Sequence, residues 1–145
     1  MFKVKDSRFL PQRQTAHSAG LDVKARSIIC CHPQRIAFVP IGVWIDQSSH
    51  DYFELRETHY IGLYIRSSLA KKGLMLANGT GIIDMDYPNE IMMMIYNAGT
   101  DSYTIMEGDR IGQIIIQPHN SAQIAEGWEC VTDTREGGFG STGKS

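Results

Sequence analysis

Two aspartates two residues apart, Asp84 and Asp86 in GTGIIDMDYPNE, are the first residues here whose type and spacing suit chemistry. In a segment that reads as a strand or hairpin arm, residues i and i+2 project from one face, so the two carboxylates share a neighbourhood. Such a pair suits a general base beside a metal or another cation, and it equally suits a solvated hairpin tip. A calcium loop of EF-hand type is excluded: counted from Asp84, the position that must be Gly is Asn89 and the one that must be Glu is Ile95.

Four other segments carry polar groups in places that ask for an explanation. HSAGLDVKA sets Asp22 between apolar residues, as a strand start or as a carboxylate aimed into a cleft. In YIRSSLAKKG, Arg66 precedes Ser67 and Ser68 at what reads as a strand end, which suits a grip on phosphate or an ordinary serine N-cap. GDRIGQIII leaves Gln113 as the lone neutral polar residue of an apolar run, and a buried Gln needs a partner, from backbone or ligand. The tail REGGFGSTGKS satisfies a phosphate-loop string through Gly138, Gly143, Lys144 and Ser145. That loop needs a strand before it and a helix after it, and no βαβ pattern is present, so an ATPase-type loop is set aside. The glycines still let backbone N–H groups approach an anion, with Arg135, Ser141, Thr142 and Lys144 as side-chain donors and Phe139 free to stack on a base. The segment then reads as a closing arm or, alternatively, as a disordered end.

The elements that must hold these groups are short strands. SIIC, RIAFVPIGVWI, YIGLYI, EIMMMIYNAG, SYTIM and RIGQIIIQP are rich in β-branched and aromatic residues and are separated by turn signals. Only Ser67 to Gly73 leans towards a helix, with Ser as cap and Gly as terminator, too short for more than a turn or two. The chain is expected to be all-β, a sandwich or barrel of short strands with one short helix. Its 145 residues, 42% hydrophobic and 21% charged, suffice for one domain with a real core. Fourteen basic against sixteen acidic residues give a net charge of -2, so no global field recruits nucleic acid or an anionic membrane, and any anion must be held locally. MFKVKDSRFL lacks the apolar core of a signal peptide and no run approaches a membrane span, which points to a soluble, cytoplasmic protein. Cys30, Cys31 and Cys130 show no CxxC spacing, and the five histidines fall at no metal-ligand spacing.

Taken in order, AGLDVKA, RSSLA, GIIDMDY, GDRIGQ and GGFGSTG resemble the five motifs of the trimeric dUTPase family, over nearly the whole chain. The resemblance implies a jelly-roll-like subunit over residues 1–134, a closing arm over 135–145, and a homotrimer whose active sites are assembled from more than one chain. It implies hydrolysis of dUTP to dUMP and pyrophosphate. Asp84 would activate the water that attacks the α-phosphorus, with Mg2+ on the triphosphate and Asp22 orienting the metal's water shell. Arg66, Ser67, Ser68 and Gln113 would grip the phosphates, joined by Arg135, Gly140, Ser141 and Thr142 of the arm. Asn78 and the backbone of Gly81, Ile82 and Ile83 would read the uracil edge. Tyr87 would pack under the sugar where a ribose 2′-OH would clash, Met92 would stand where the family often has Lys, and Phe139 would cover the base.

The sequence departs from the family pattern at Pro88 and Asn89 after Tyr87, and at Arg135, which stands one residue closer to Gly138 than usual. Between Asp46 and Ile65 the chain is several residues longer than expected, and residues 47–60 of that stretch are expected to be an extra loop, a partner site or neither. Two rival readings stay beside the first: a non-catalytic dUTP-binding module of the same fold, and a dCTP deaminase. The deaminase reading requires a glutamate where Met94 stands.

Overall fold

The computed structural model describes residues 1–120, so the closing arm with Arg135, Phe139, Gly140, Ser141 and Thr142 lies outside the described residues. In chain order the elements are β1 (Phe2–Val4), a 3-10 turn (Ser7–Phe9), β2 (Leu21–Lys24), β3 (Ile29–Cys31), β4 (Ile36–Pro40), β5 (Val43–Ile45), α1 (His50–Leu55), β6 (His59–Ile65), α2 (Ser67–Ala70), β7 (Leu74–Leu76), β8 (Gly81–Ile83), β9 (Met92–Asn97), β10 (Tyr103–Ile105) and β11 (Arg110–Pro118). The expected all-β, jelly-roll-like class is what the chain adopts. A four-stranded sheet β2-β11-β6-β8 and a three-stranded sheet β4-β9-β7 are joined by the pairs β1-β5 and β10-β3, every pairing antiparallel.

Alternation along the strands explains the core. Ile61 and Leu63 of β6 and Ile114 of β11 point inward to meet Met93 and Ile95 of β9 and Val39 of β4, all at most 1% exposed. The opposite faces differ in chemistry. On the three-stranded sheet, Ile36, Phe38, Met75 and Met92 stand between 39% and 54% exposed, an apolar face unusual for an isolated subunit. Gly112 sits where β11 is crowded by its neighbouring strand and by the other sheet: a Cβ there would lie 2.6 Å from both the Tyr64 carbonyl oxygen of β6 and the Met93 methyl of β9. The register of β11 against β2 shifts between Arg110 and Gly112, so the bulge and the glycine together let β11 pass. Cys31 is fully buried, which pushes its thiol pKa up, with Cys30 beside it adding to the effect.

Two expectations about local structure are corrected. The serine expected to cap the helix at 67–73 does not do so: the N-cap of α2 is Arg66, in extended backbone and without a side-chain cap bond. A second helix, α1, lies in the stretch for which no helix was expected. Ser49 caps it by accepting from the Tyr52 N–H, Asp51 sits in its first turn, and Tyr52 is buried. Ser49 ahead of an acidic residue, with Tyr52 and Leu55 three apart, was the available signal.

Candidate functional site

The chain crosses from one sheet to the other between β7, which pairs with β9, and β8, which pairs with β6. The crossing is tight. The Gly79 N–H donates to Leu76 O, the Thr80 N–H donates to Asn78 O, and Gly79 takes φ 70°, a conformation glycine adopts without strain. It leaves Asn78 exposed at the mouth of a cleft of about 420 Å³. Gly81, Ile82 and Ile83 form one wall, and Asp84 and Tyr87 line the same space, as does Met92 from β9. The structure therefore brings together Asn78, Gly81, Ile82, Ile83, Asp84, Tyr87 and Met92. Sequence reasoning missed Phe38, Leu63 and Leu76, which also line this cleft, and considered Met94 only as the place of an absent glutamate. Their common signal is alternation, since Phe38 and Met94 face each other across β4 and β9.

Asp84 follows the end of β8 and begins a turn closed by a hydrogen bond from the Tyr87 N–H to Asp84 O at 3.1 Å. The strand or hairpin arm expected through Asp86 therefore stops at Ile83. The shared neighbourhood survives for another reason: Met85 is 5% exposed and anchors the turn, while Asp84 and Asp86 on either side stay in solvent. Both carboxylates line a second cleft, of about 620 Å³, together with Tyr52, Arg56, His59, Tyr60 and His119. Asp84 and Ile82 belong to both clefts, so the tip of β8 is the wall between them.

The remaining expected residues lie elsewhere. Gln113 is in register with Asp22 on one side and Tyr64 on the other. Gly20 makes room for its side chain, because a Cβ there would lie 2.6 Å from Gln113 Oε1. The Asp22 carboxylate is 15% exposed and accepts from Arg110 Nη1 at 3.3 Å, the same nitrogen that donates to Gln14 Oε1 at 2.8 Å. Arg66 donates from Nη1 to Arg110 O at 3.4 Å, and Ser67 and Ser68 are exposed at the start of α2. Arg66, Ser68, Lys72 and Arg110 share a cleft of about 350 Å³. Lys72 and Arg110 were not singled out beforehand, although YIRSSLAKKG contains the first and GDRIGQ the second.

The candidate residues thus form two groups. Asp22 is on β2 and Asp84 follows β8, the two edges of the four-stranded sheet, with β11 and β6 between them. Three inter-strand spacings put those edges roughly 14 Å apart, before any offset along the strands. None of Asp22, Arg66 and Gln113 lines either of the two clefts that Asp84 lines.

A family model described as dUTPase matches residues 7–143. The chain belongs to the dUTPase family. A deoxyuridine 5'-triphosphate nucleotidohydrolase of Cytophaga hutchinsonii is 36% identical over 144 residues, covering 97% of this chain and 88% of that protein. One from Escherichia coli is 35% identical over 140 residues, covering 93% and 87%. Among solved structures, a dUTPase from Streptococcus mutans superposes with a TM-score of 0.70 at 30% identity, covering 84% of this chain and 98% of that one. The dUTPase of Staphylococcus bacteriophage 80alpha, at 23% identity, reaches 0.79 over 99% and 97% and shares the fold. As a dUTPase family member, the chain carries its glutamate-free position, Met94, in the wall of the first cleft.

Proposed function

We propose that this chain hydrolyses dUTP to dUMP and pyrophosphate, with Asp84 as the base that takes a proton from the attacking water. The observation that supports it best is the first cleft, where an edge strand, an exposed amide, a tyrosine ring and Asp84 line one space. β8 pairs only with β6 among the described strands, so its other edge offers backbone N–H and C=O groups to a ligand. Those groups at Gly81 to Ile83, with Asn78, read the uracil edge. Cytosine presents a donor where uracil presents an acceptor, and a site built for one rejects the other by roughly 10⁴ or more. Tyr87 packs under the sugar. The water's proton passes to Asp84, its oxygen bonds to the α-phosphorus, and the bond to the bridging oxygen of pyrophosphate breaks. Asp84→Asn, treated in the Discussion, tests the base.

Arg66, Ser67, Ser68 and Gln113 grip the phosphates in this proposal, and Arg135, Gly140, Ser141, Thr142 and Phe139 of the arm complete the enclosure. Because Arg66 follows the C-terminal end of β6 while Asp84 follows Ile83, which pairs with Ile61 near the other end of that strand, a complete site takes the phosphate group and the base from neighbouring subunits, in a homotrimer. The exposed apolar face of Ile36, Phe38, Met75 and Met92 is suited to burial in that assembly. The donor set fits a magnesium ion that arrives on the triphosphate. Asp22 offers a single carboxylate already oriented by Arg110, and the one three-ligand cluster among the described residues is the exposed His50, Asp51 and Glu54 of α1. When bound, the ion supplies neutralisation of phosphate charge.

Pyrophosphate release from dUTP, dCTP, dTTP and UTP, with magnesium or EDTA, tests the whole reading: turnover of dUTP alone, lost in EDTA, is expected. Binding of dUTP without turnover would favour a non-catalytic module, and ammonia from dCTP a deaminase. The sugar contact has its own test. Tyr87→Ala is expected to raise kcat/KM for UTP relative to dUTP by roughly tenfold, while Tyr87→Phe keeps the ring and the discrimination. An unchanged UTP to dUTP ratio in Tyr87→Ala would remove that role.

A protein partner at residues 47–60 is the last part of the proposal. Its support is Phe53, which α1 holds 58% exposed beside Arg56. Deleting Ser48 to Thr58 and finding full activity with an unchanged interaction profile would count against it.

No helix among the described residues is long and apolar enough to cross a membrane.

A further inference from the structure

The extra residues between β5 and β6 do not stand clear of the site. They form the far side of the second cleft, and two of their side chains reach the turn that carries Asp84. Gln47 Nε2 donates to Asp86 O at 3.1 Å. Tyr52 of α1 is 8% exposed, belongs to the same buried cluster as Met85, and lines the same cleft as Met85, Asp84 and Asp86. We propose that residues 47–58 position the base-bearing turn, with Gln47 and Tyr52 as positioning residues for the water-activating carboxylate.

The segment is fastened at both ends, which a positioning element requires. At its start, the Asp46 carboxylate accepts from the Ser48 hydroxyl at 2.7 Å and the Ser48 N–H at 3.2 Å, and these bonds hold its pKa below the usual carboxylate value. Ser49 caps α1, and the Asp46 N–H donates to Met1 O at 2.8 Å. At its end, the His119 N–H donates to Thr58 O at 2.8 Å, tying it to the residue that follows β11. Between these fastenings α1 presents Tyr52 inward, into the buried cluster that also holds Met85. The turn itself has few restraints of its own: one backbone hydrogen bond from Tyr87 and the burial of Met85. Asp84 is exposed and follows an edge strand, so its aim depends on what holds Met85 and Asp86. Gln47 and Tyr52 supply that support from the side opposite the nucleoside cleft. Neither residue touches substrate in this arrangement; both act through the turn.

This inference rests on Asp84 being the base, and the experiment separates the two. The full chain is compared with Gln47→Met, Tyr52→Ala, Tyr52→Phe and Asp84→Asn for kcat, KM and the stoichiometry of binding an imido analogue of dUTP. Gln47→Met keeps length and removes the donor at a surface position, so it leaves the core intact. It is expected to lower kcat roughly tenfold, within the ~10²-fold that a misplacement of about 1 Å can cost, with KM and analogue stoichiometry unchanged. Tyr52→Ala is expected to lower kcat at least as far, and Tyr52→Phe to restore it, since ring volume is the requirement. Unchanged stoichiometry distinguishes a misaimed base from a fraction of unfolded protein. If Asp84→Asn is inert while Gln47→Met binds and turns over as the unmodified chain does, positioning by the segment is overturned and the base assignment stands. If Asp84→Asn is active, the base assignment fails, and the positioning role with it.

Discussion

Asp84→Asn is expected to lower kcat for dUTP by about 10² to 10⁴-fold, the range a positioned general base contributes, while KM changes little. The substitution is isosteric, and the groups that hold the turn do not involve the carboxylate. The Tyr87 N–H donates to the backbone oxygen of residue 84, and Met85 remains buried behind it. What disappears is the lone pair able to take a proton from water. Asp86→Asn is the internal comparison, because its carboxylate is also exposed and lines the second cleft but not the first. Its effect on kcat is expected to be the smaller of the two. Pyrophosphate release at saturating dUTP with magnesium measures both, and an Asp84→Asn protein that turns over at the unmodified rate would sink the assignment.

What the sequence made legible, and what it hid, follows from the range of each interaction. Alternating apolar residues place Ile61, Leu63, Ile114, Met93 and Ile95 inward without knowledge of the partner strand, so the strands and the core could be read locally. The grouping of Asn78 with Gly81, Asp84 and Tyr87 came from the resemblance, and its physical basis is that these residues are close in sequence and the crossing from β7 to β8 brings them to one cleft. The contribution of Phe38 was not legible, since it reaches the same cleft only through the pairing of β4 with β9. Helix α1 was missed because six residues carry too little periodicity to outweigh the surrounding polar and aromatic mixture, and its stability comes from Tyr52 in the core rather than from propensity. The turn at Asp84 was read as extended for a similar reason. An apolar residue flanked by two aspartates looks the same in a strand and in a turn anchored by a buried methionine. Arg66 could be read locally as a grip on phosphate, whereas the roles of Asp22 and Gln113 came from resemblance, and nothing local to any of the three could say that none of them lines the clefts that Asp84 lines.

That separation yields the other large effect. Asp84→Asn and Arg66→Ala are each expected to be nearly inactive by themselves, because every site of either homotrimer lacks one essential group. Mixed after joint refolding, the two proteins are expected to regain activity. In a threefold ring, a site that takes its base from one subunit and its phosphate grip from the next is intact wherever an Arg66→Ala subunit lends its Asp84 to an Asp84→Asn subunit that lends its Arg66. Every mixed trimer contains one such junction out of three. Random assembly from equal amounts makes about three quarters of the trimers mixed, so about a quarter of all sites, and about a quarter of the unmodified rate, should return. The strand register makes this outcome specific: Ile83, next to Asp84, pairs with Ile61, and Arg66 lies five residues further along, just past the end of β6, roughly 16 Å away by strand rise. Arg66 lies on the Asp22 side, bonded to the carbonyl of Arg110, so its loss leaves the Asp84 turn untouched. Recovery near a quarter, with KM for dUTP like that of the unmodified protein, means that the two groups act from different subunits. No recovery, with mixed trimers demonstrated by mass, would mean that both groups serve one subunit's site.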